Sequence, residues 1–234
     1  MEPKKTPLFW KYARGILFFF GLPVLVFLAA GTLRWWQAWV YIGISYAASI
    51  TSRVIVSKLH PDLLQERLHY SDKTDAKKWD KVLLPIVAMI CPAAYFLTAG
   101  FDKRYGWSDS MPLWLYLAAL VLTLAFYAFS TWALAENRFF SAVVRIQTDR
   151  GQTVVDSGPY RYVRHPGYLA GILVALTFPL MMGSWWAYIP VGIMCVLMFV
   201  RTSLEDNALF NELPGYTEYT RKTRYRLFPG IWLV

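Results

Sequence analysis

Six long apolar segments alternate with charged segments along the chain of 234 residues. A helix that crosses a bilayer needs about 20 predominantly apolar residues. The pattern therefore predicts an all-α integral membrane protein with about six transmembrane helices. The predicted spans cover roughly residues 15–33, 36–56, 82–100, 112–135, 168–183 and 185–202.

The fifth apolar segment differs from the others because it is short and contains Pro179. Gly183 and Ser184 separate it from the sixth segment, and this dipeptide is typical of a turn. We expect the last two segments to form a tight helical hairpin, or a kinked or partly penetrating pair.

The basic residues predict the orientation of these spans. Of the 24 Lys and Arg residues, all but Arg34, Lys103 and Arg104 lie in the two terminal segments or in the two long connections. Because cytoplasmic segments carry an excess of Lys and Arg, both termini and both long loops are expected in the cytoplasm. Further spans follow the first one, so an uncleaved helix is favoured over a cleaved signal peptide.

The polar segments carry local signals of their own. The first long loop begins Pro61-Asp-Leu-Leu-Gln-Glu-Arg-Leu68, which predicts a short interfacial helix starting at Pro61. Trp79 is expected at the level of the lipid headgroups. Residues 149–152, Asp-Arg-Gly-Gln, predict a turn. The tail after residue 204 predicts a helix, a turn at 213–215 and a segment that follows the membrane surface.

Composition agrees with a single membrane domain. The chain is 56% hydrophobic and only 17% charged, and no polar block is long enough to fold separately. We divide the domain into a four-span region, 1–135, and a core, 136–234. The net charge is +9, and the basic residues that cause it lie between the apolar segments. This distribution indicates membrane orientation rather than nucleic-acid binding. Cys91 and Cys195 lie inside apolar segments, so we expect inert thiols without a disulfide or metal site.

The signatures of several soluble enzyme classes are missing from the sequence. It contains no Gly-x-Gly for a dinucleotide loop, no Gly-Lys-Ser/Thr for a phosphate loop, no His-Glu-x-x-His and no Gly-x-Ser-x-Gly. Candidate chemistry must therefore come from charged residues at the ends of the predicted spans.

The first such group is Arg161, Arg164 and His165, which precede the fifth apolar segment. A basic cluster of this kind can simply contact lipid phosphates. However, Pro166 suits the first position of a helix, and the N–H groups at a helix N-terminus can bind a carboxylate or phosphate.

The second group is Arg201, Glu205 and Asp206 at the end of the sixth segment. Arg201 and Glu205 are four residues apart and share a helix face, so a simple salt bridge would also explain them. Both groups are predicted at the same membrane face on consecutive spans, which allows them to form one site. Charged groups at such positions are costly to desolvate and commonly serve a function.

These motifs resemble the isoprenylcysteine carboxyl methyltransferases, within a wider group that includes phospholipid methyltransferases. Residues 158–171, Gly-Pro-Tyr-Arg-Tyr-Val-Arg-His-Pro-Gly-Tyr-Leu-Ala-Gly, are similar to the family's Arg-His-Pro-x-Tyr-x-Gly motif. An apolar hairpin, an arginine, an acidic cluster and Tyr-x-x-Tyr follow in that family, as they do here with Tyr216-Thr-Glu-Tyr219. The similarity covers about residues 136–232, and a looser one to bacterial members covers 61–67 and 78–81.

The resemblance implies S-adenosyl-L-methionine as the cofactor and assigns roles to individual residues. Arg201 matches the arginine assigned to the substrate carboxylate, and Glu205 matches the cofactor-binding acid. The family's upstream glutamine falls at Arg145 by spacing, with Gln147 two residues later, so either could make that contact. The remaining implied cofactor contacts are Gln152, Thr153, Val154, Val155, Tyr160, His165, Pro166, Gly167 and Tyr168.

Methyl transfer from a sulfonium to a carboxylate suits these residue types. A carboxylate is ionised at neutral pH, so catalysis can come from alignment and from exclusion of water. The sequence thus predicts a membrane methyltransferase whose lipophilic substrate enters from the bilayer. The resemblance favours an isoprenylcysteine-like carboxylate as the acceptor, and the alternative acceptor is a lipid amine. The alternative functions are an NADPH-dependent reductase of the sterol-reductase type and a transporter or scaffold.

Overall fold

A computed structural model of the protein describes residues 8–230, and this part of the chain is built from helices joined by turns and loops. Eight helices are found within the described residues. They are α1 (Leu8–Ala30), α2 (Trp36–Leu59), α3 (Pro61–Leu68), α4 (Asp80–Tyr105), α5 (Leu113–Glu136), α6 (Pro166–Met182), α7 (Tyr188–Glu212) and α8 (Tyr216–Lys222). The predicted all-α class is confirmed.

Four of these helices, α2, α4, α5 and α7, are long and apolar enough to cross a membrane. The other two predicted spans correspond to shorter apolar helices, Phe19–Ala30 within α1 and Pro166–Met182. The count of six spans is therefore not confirmed. Helix α6 has 17 residues, a length of about 26 Å at 1.5 Å per residue, slightly less than a typical hydrocarbon core.

Helix α4 contains the largest local irregularity among the spans. Residues Ile86–Ile90 form a π-type turn between two regular α-helical parts. Pro92 lies two residues after this turn, and its ring lacks an N–H and crowds the carbonyl four residues earlier, which is a common cause of such a turn. The helix also begins two residues before the predicted span, so Asp80 lies at its first position.

The helices pack around one apolar core that contains residues from Val26 to Leu227. Helix α5 packs along α6 and α1 along α4, while α7 contacts both α4 and α6. At the centre the ring of Phe178 lies 4.5 Å from that of Tyr95 and 4.7 Å from that of Phe96, measured between centroids. The core therefore includes residues on both sides of the predicted division at residue 135.

Close contact between α1 and α4 depends on Gly100. A Cβ atom at this position would lie 2.6 Å from Cβ of Ala29 and 2.7 Å from the backbone oxygen of Val26. Small residues allow membrane helices to approach closely, because dispersion contacts between backbones replace those with lipid.

The predicted hairpin between the fifth and sixth segments is confirmed. Gly183 ends α6 in the left-handed region, at φ +69°, and a short turn leads directly into α7, which contacts α6. The Oγ of Ser184 donates a hydrogen bond of 2.5 Å to Asp102, at the end of α4. This end of the molecule is thus closed by the connections after α4 and α6.

The opposite end gathers three of the four segments that were predicted to lie on one side of the membrane: the two long loops and the C-terminal segment. Arg150 in the second long loop pairs with Asp62 on α3 at 2.6 Å. Lys77 in the first long loop pairs with Glu212 at the end of α7 at 2.5 Å. The predicted helix at Pro61 is also confirmed. Which end faces the cytoplasm stays a prediction, and residues 1–7, with Lys4 and Lys5, lie outside the described residues.

Candidate functional site

A cavity opens at this end of the molecule, where the two long loops meet α6, α7 and α8. Its walls come from residues 137–155, from the start of α6 and from the last turns of α7 with the tail. Of the residues implied by the sequence, those that line it are Gln152, Thr153, Val154, Val155, Tyr160, His165, Tyr168 and Glu205. The lining does not include Pro166, Gly167 or Arg201.

One wall is the loop that carries Gln152 to Val155. The side-chain oxygen of Gln152 accepts a hydrogen bond of 2.7 Å from the backbone N–H of Gln147. Gly151 adopts φ +61° at the end of a short 3-10 turn, which is the turn predicted at 149–152. This closed loop fixes the backbone that presents Val154 and Val155 to the cavity.

A second wall is the start of α6. His165 is its N-cap residue and Pro166 its first helical residue, as predicted. A Cβ atom on Gly167 would lie 2.3 Å from the ring of Phe140, which itself lines the cavity. Gly167 thus lets the first turn of α6 approach the loop wall, and its contribution to the cavity is through this packing.

Asp206 joins the two charged groups that the sequence singled out. Its carboxylate accepts two parallel hydrogen bonds from Arg164, at 2.7 and 2.9 Å, and lies 3.1 Å from Nε2 of His165. Tyr216 and Arg226 also donate to it, each at 2.8 Å. The predicted convergence of the two groups is confirmed, because Asp206 on α7 binds Arg164 and His165 at the start of α6. Through Arg226 it also binds the tail.

Arg161 is an exception within the first group. Its side chain is exposed, whereas Arg164 and His165 are buried. The basic cluster therefore divides into two buried residues at the site and one residue at the surface.

Glu205 and Tyr168 place a carboxylate beside aromatic rings at the cavity. The Tyr168 hydroxyl donates a hydrogen bond to Glu205. The rings of His165 and Tyr168 stack with their centroids 5.7 Å apart and their planes within 8°. A carboxylate and aromatic faces attract a cation, so this corner of the cavity suits a positively charged ligand.

Arg201 lies behind Tyr168 and has a buried carboxylate as its partner. Its Nε and Nη2 donate to Asp80 at 2.7 and 3.2 Å, and Nη2 also donates to the Ala142 oxygen at 3.1 Å. The guanidinium carbon is 5.0 Å from the centre of the Tyr168 ring. The salt bridge considered from the sequence, between Arg201 and Glu205, is therefore not the one that forms: Arg201 pairs with Asp80.

Asp80 was missed as a site residue from the sequence. It is fully buried and also accepts a hydrogen bond of 2.7 Å from the backbone N–H of Val144 in the cavity wall. The only signal was its place in the segment Lys78-Trp-Asp-Lys81, which resembles bacterial family members. Its partner is 121 residues away in the sequence, so spacing gave no indication of the pair.

Arg145 and Gln147, the two candidates for the contact that the sequence left open, both line the cavity. Arg145 donates to Glu66 at 2.9 and 3.0 Å and also pairs with Asp75 and Asp149. Burial alone would raise the pKa of Glu66, but hydrogen bonds from Arg145 and Lys73 outweigh it and hold that pKa below its ordinary value. Gln147 donates to the Phe139 oxygen at 2.6 Å.

Asn137 is a second residue that the sequence did not reveal. Its side-chain amide donates to the Tyr160 hydroxyl at 3.1 Å, and both residues line the cavity. Burial raises the pKa of Tyr160 above its ordinary value, so this hydroxyl remains protonated and can donate in turn. Asn137 follows the end of α5 directly, where nothing in the sequence distinguishes it from a helix cap.

Comparison with known families identifies this part of the chain. Residues 118–211 match the model of the isoprenylcysteine carboxyl methyltransferase (ICMT) family. The matched segment runs from α5 to α7 and contains every predicted site residue. The resemblance stated from the sequence is confirmed, and the match indicates a membrane methyltransferase. The comparison with curated proteins gave no matching relative.

Proposed function

We propose that this chain transfers a methyl group from S-adenosyl-L-methionine to the carboxylate of an isoprenylcysteine-like lipid. The proposal starts from the match of residues 118–211 to the isoprenylcysteine carboxyl methyltransferase family. The observation that carries the proposal is the cavity itself. Eight of the residues assigned to the cofactor by resemblance, from four separate places in the sequence, line this one cavity.

The chemical character of the lining fits this cofactor. Glu205 and the ring of Tyr168 offer a negative charge and an aromatic face to a sulfonium. Val154 and Val155 offer an apolar surface, and Asn137 and Gln152 carry amides suited to polar groups. When bound, the cofactor would supply an electrophilic methyl group for the acceptor oxygen, with its neutral thioether as the leaving group.

The protein's own residues would act through position and charge. An ionised carboxylate needs no general base, so no side chain has to remove a proton. Tyr168 would hold Glu205 by its hydroxyl and carry Arg201 on its other side. Alignment of this kind and the exclusion of water supply most of the acceleration expected for an in-line displacement.

Arg201 remains the proposed catalytic contact to the acceptor, with one change from the sequence prediction. A guanidinium can hold a carboxylate through two parallel bonds, but the Nε and Nη2 edge of Arg201 is occupied by Asp80. We therefore propose that Arg201 contacts the acceptor carboxylate through Nη1 alone. Asp80 would fix the angle at which that N–H points.

Calorimetry on detergent-solubilised protein tests the cofactor. S-adenosylhomocysteine should bind at one site in the micromolar range, about −8 kcal/mol. No heat and no thermal shift at millimolar ligand would contradict the methyltransferase proposal.

A transfer assay tests the reaction class. Tritium from a labelled methyl donor should appear in an N-acetylated S-prenylcysteine as an alkali-labile ester. Transfer of label to a lipid amine would support the phospholipid alternative instead. Oxidation of NADPH without methyl transfer would support the reductase alternative, whose members usually carry an Asn-Tyr pair where this chain has His165-Pro166.

A further inference from the structure

Gln147 is a buried amide in the wall of the cavity, and its neighbours define its orientation. It is only 1% exposed and lines the cavity. Its side-chain oxygen accepts a hydrogen bond from Nη1 of Arg150, and its side-chain nitrogen donates to the Phe139 oxygen at 2.6 Å. A guanidinium can only donate and a backbone oxygen can only accept. The oxygen and nitrogen of this amide therefore cannot exchange places without loss of both bonds.

One N–H of the same amide is left over. An amide nitrogen carries two N–H groups, and the second one of Gln147 has no acceptor within residues 8–230. A buried donor without a partner is unfavourable, and where such a donor lines a cavity a ligand can satisfy it. The polar group of this side chain that lacks a partner is thus a donor.

Arg145, the other candidate for the contact that the sequence left open, has no donor to spare. A guanidinium carries five N–H groups. Arg145 forms five hydrogen bonds, at 2.8 to 3.2 Å, with the three carboxylates of Glu66, Asp75 and Asp149. Of the two candidates, Gln147 is therefore the one with a side-chain N–H left for a ligand.

Arg150 is itself held in place by α3. Its Nη2 donates to Asp62 at 2.6 Å and to the Arg138 oxygen at 2.7 Å. One planar guanidinium thus joins Asp62, on the first turn of α3, to the amide of Gln147. Helix α3 lies outside the residues that match the family model, so the match assigns no role to Asp62.

We propose that Asp62 and Arg150 are positioning residues for the cofactor cavity: they hold the amide of Gln147 so that its free N–H donates to an oxygen or nitrogen acceptor of bound S-adenosyl-L-methionine. The inference rests on the proposed function and deepens it. Arg150 and Asp62 do not line the cavity, so they act through Gln147 rather than by contact with the cofactor. Without Arg150, the amide can turn its oxygen toward the ligand, where it would repel an acceptor.

Binding of S-adenosylhomocysteine to the detergent-solubilised full chain, followed by calorimetry, tests this arrangement without methyl transfer. Gln147→Met should weaken binding about three- to tenfold, the effect expected for one neutral hydrogen bond. Arg150→Lys keeps a positive charge near Asp62 but lacks the planar fork that spans both partners. It should weaken binding by up to the same factor. Asp62→Asn should weaken binding in the same direction.

Arg138→Lys is the matched control. Arg138 also pairs with Asp62, at 3.0 Å, and its guanidinium carbon lies 5.4 Å from the centre of the Phe139 ring, compared with 5.5 Å for Arg150. It has no bond to Gln147, so its replacement should leave the affinity unchanged. Melting temperatures of all variants show that the affinities refer to folded protein. If Gln147→Met does not fold, the comparison of Arg150→Lys with Arg138→Lys decides alone.

A double variant tests whether Arg150 acts through the amide. Gln147→Met/Arg150→Lys should bind no more weakly than Gln147→Met, because residues that share one interaction are not additive. Losses that multiply, or an Arg150→Lys variant that binds like the wild type or like Arg138→Lys, would overturn the inference. Unchanged affinity in Asp62→Asn would overturn the role of α3. A wild type that binds no S-adenosylhomocysteine would instead contradict the proposed function, and the inference with it.

Discussion

Arg201 shows how one residue can have both a structural and a chemical role. Its buried ion pair with Asp80 connects α7 to α4, and Asp80 also receives the N–H of Val144. Breaking a buried pair by removing one partner typically costs about 3–5 kcal/mol, because the other charge remains buried without compensation. Loss of activity in Arg201→Ala alone would therefore not distinguish catalysis from stability.

The double variant Arg201→Ala/Asp80→Ala separates the two roles. It removes both charges, so we expect its melting temperature to lie well above that of Arg201→Ala. Cofactor affinity should be close to that of the wild type, but methyl transfer should remain at least ten- to a hundredfold lower, since about 1.5–3 kcal/mol of charged hydrogen bonding is lost. Recovery of turnover together with stability would show that Arg201 has only a structural role.

Glu205 and Tyr168 give a second test at this scale. If Glu205 holds the cofactor, Glu205→Gln should weaken binding of S-adenosyl-L-methionine by about tenfold, the effect expected for one charged hydrogen bond. Tyr168→Phe removes the hydroxyl that donates to Glu205 and should have a smaller effect in the same direction. Isothermal titration provides the measurement.

The control for this pair is Glu212→Gln on the same helix. Glu212 is exposed and pairs with Lys77 away from the cavity. Cofactor affinity should not change in this variant. An equal loss in Glu205→Gln and Glu212→Gln would mean that the overall negative charge of α7, rather than the position of Glu205, determines binding.

At the scale of elements, local signals were sufficient for much of the fold. Pro61 and Pro166 mark helix starts because a proline at the first helical position loses no hydrogen bond, and both helices begin where predicted. Gly183 ends α6 because it adopts a positive φ. The apolar segments predicted the long helices, since hydropathy acts residue by residue along the chain.

Pairings between elements could not be predicted in this way. Arg201 with Asp80 and Arg145 with Glu66 are 121 and 79 residues apart. Their distances depend on how the loops fold over the helix ends, and no periodic pattern encodes that. The sequence thus identified many of the residues around the cavity, while the carboxylates that pair with Arg201 and Arg145 emerged only from the structure.

The contacts between α3 and the second long loop predict a dependence of stability on pH. A hydrogen bond from Arg150, together with Arg138, lowers the pKa of Asp62 from 3.8 to about 2 against the effect of burial. Glu66 and Asp149 also have lowered pKa values through their bonds to Arg145. A carboxylate with a lowered folded-state pKa stabilises the protein above its unfolded-state pKa, and this stabilisation is lost as the pH falls.

We therefore expect the melting temperature to be nearly constant from neutral pH to about 5 and to fall between about 4.5 and 2. In Glu66→Gln the melting temperature should be lower at neutral pH, and the fall on acidification should be shallower. The measurement is a thermal melt in detergent across this range. A melting temperature that rises as the pH falls through 4 would contradict the assignment of these ion pairs as stabilising.

At the scale of the whole molecule, the segments that carry most of the basic residues meet at the end that contains the cavity. The proposed cofactor is soluble and would have to reach this end from the aqueous phase, while the proposed lipid acceptor would enter from the side of the bilayer. The two requirements are met together if the cavity end faces the cytoplasm, as the distribution of Lys and Arg predicts. The orientation of the chain is thus part of the functional proposal.

Cysteine labelling tests this orientation. Lys78 and Asp109 are exposed in connections at opposite ends of α4 and its neighbours. After Cys91 and Cys195 are replaced by alanine, Lys78→Cys should be labelled by an impermeant maleimide only after the cytoplasmic side is opened. Asp109→Cys should be labelled in intact cells or sealed vesicles, and Arg161→Cys should behave like Lys78→Cys.

If Lys78→Cys and Asp109→Cys are labelled from the same side, α4 does not cross the membrane and the predicted topology is wrong. If all three accessibilities are reversed, the spans stand but the cavity faces away from the cytoplasmic cofactor pool, and the proposed methyl transfer would lose its cofactor supply.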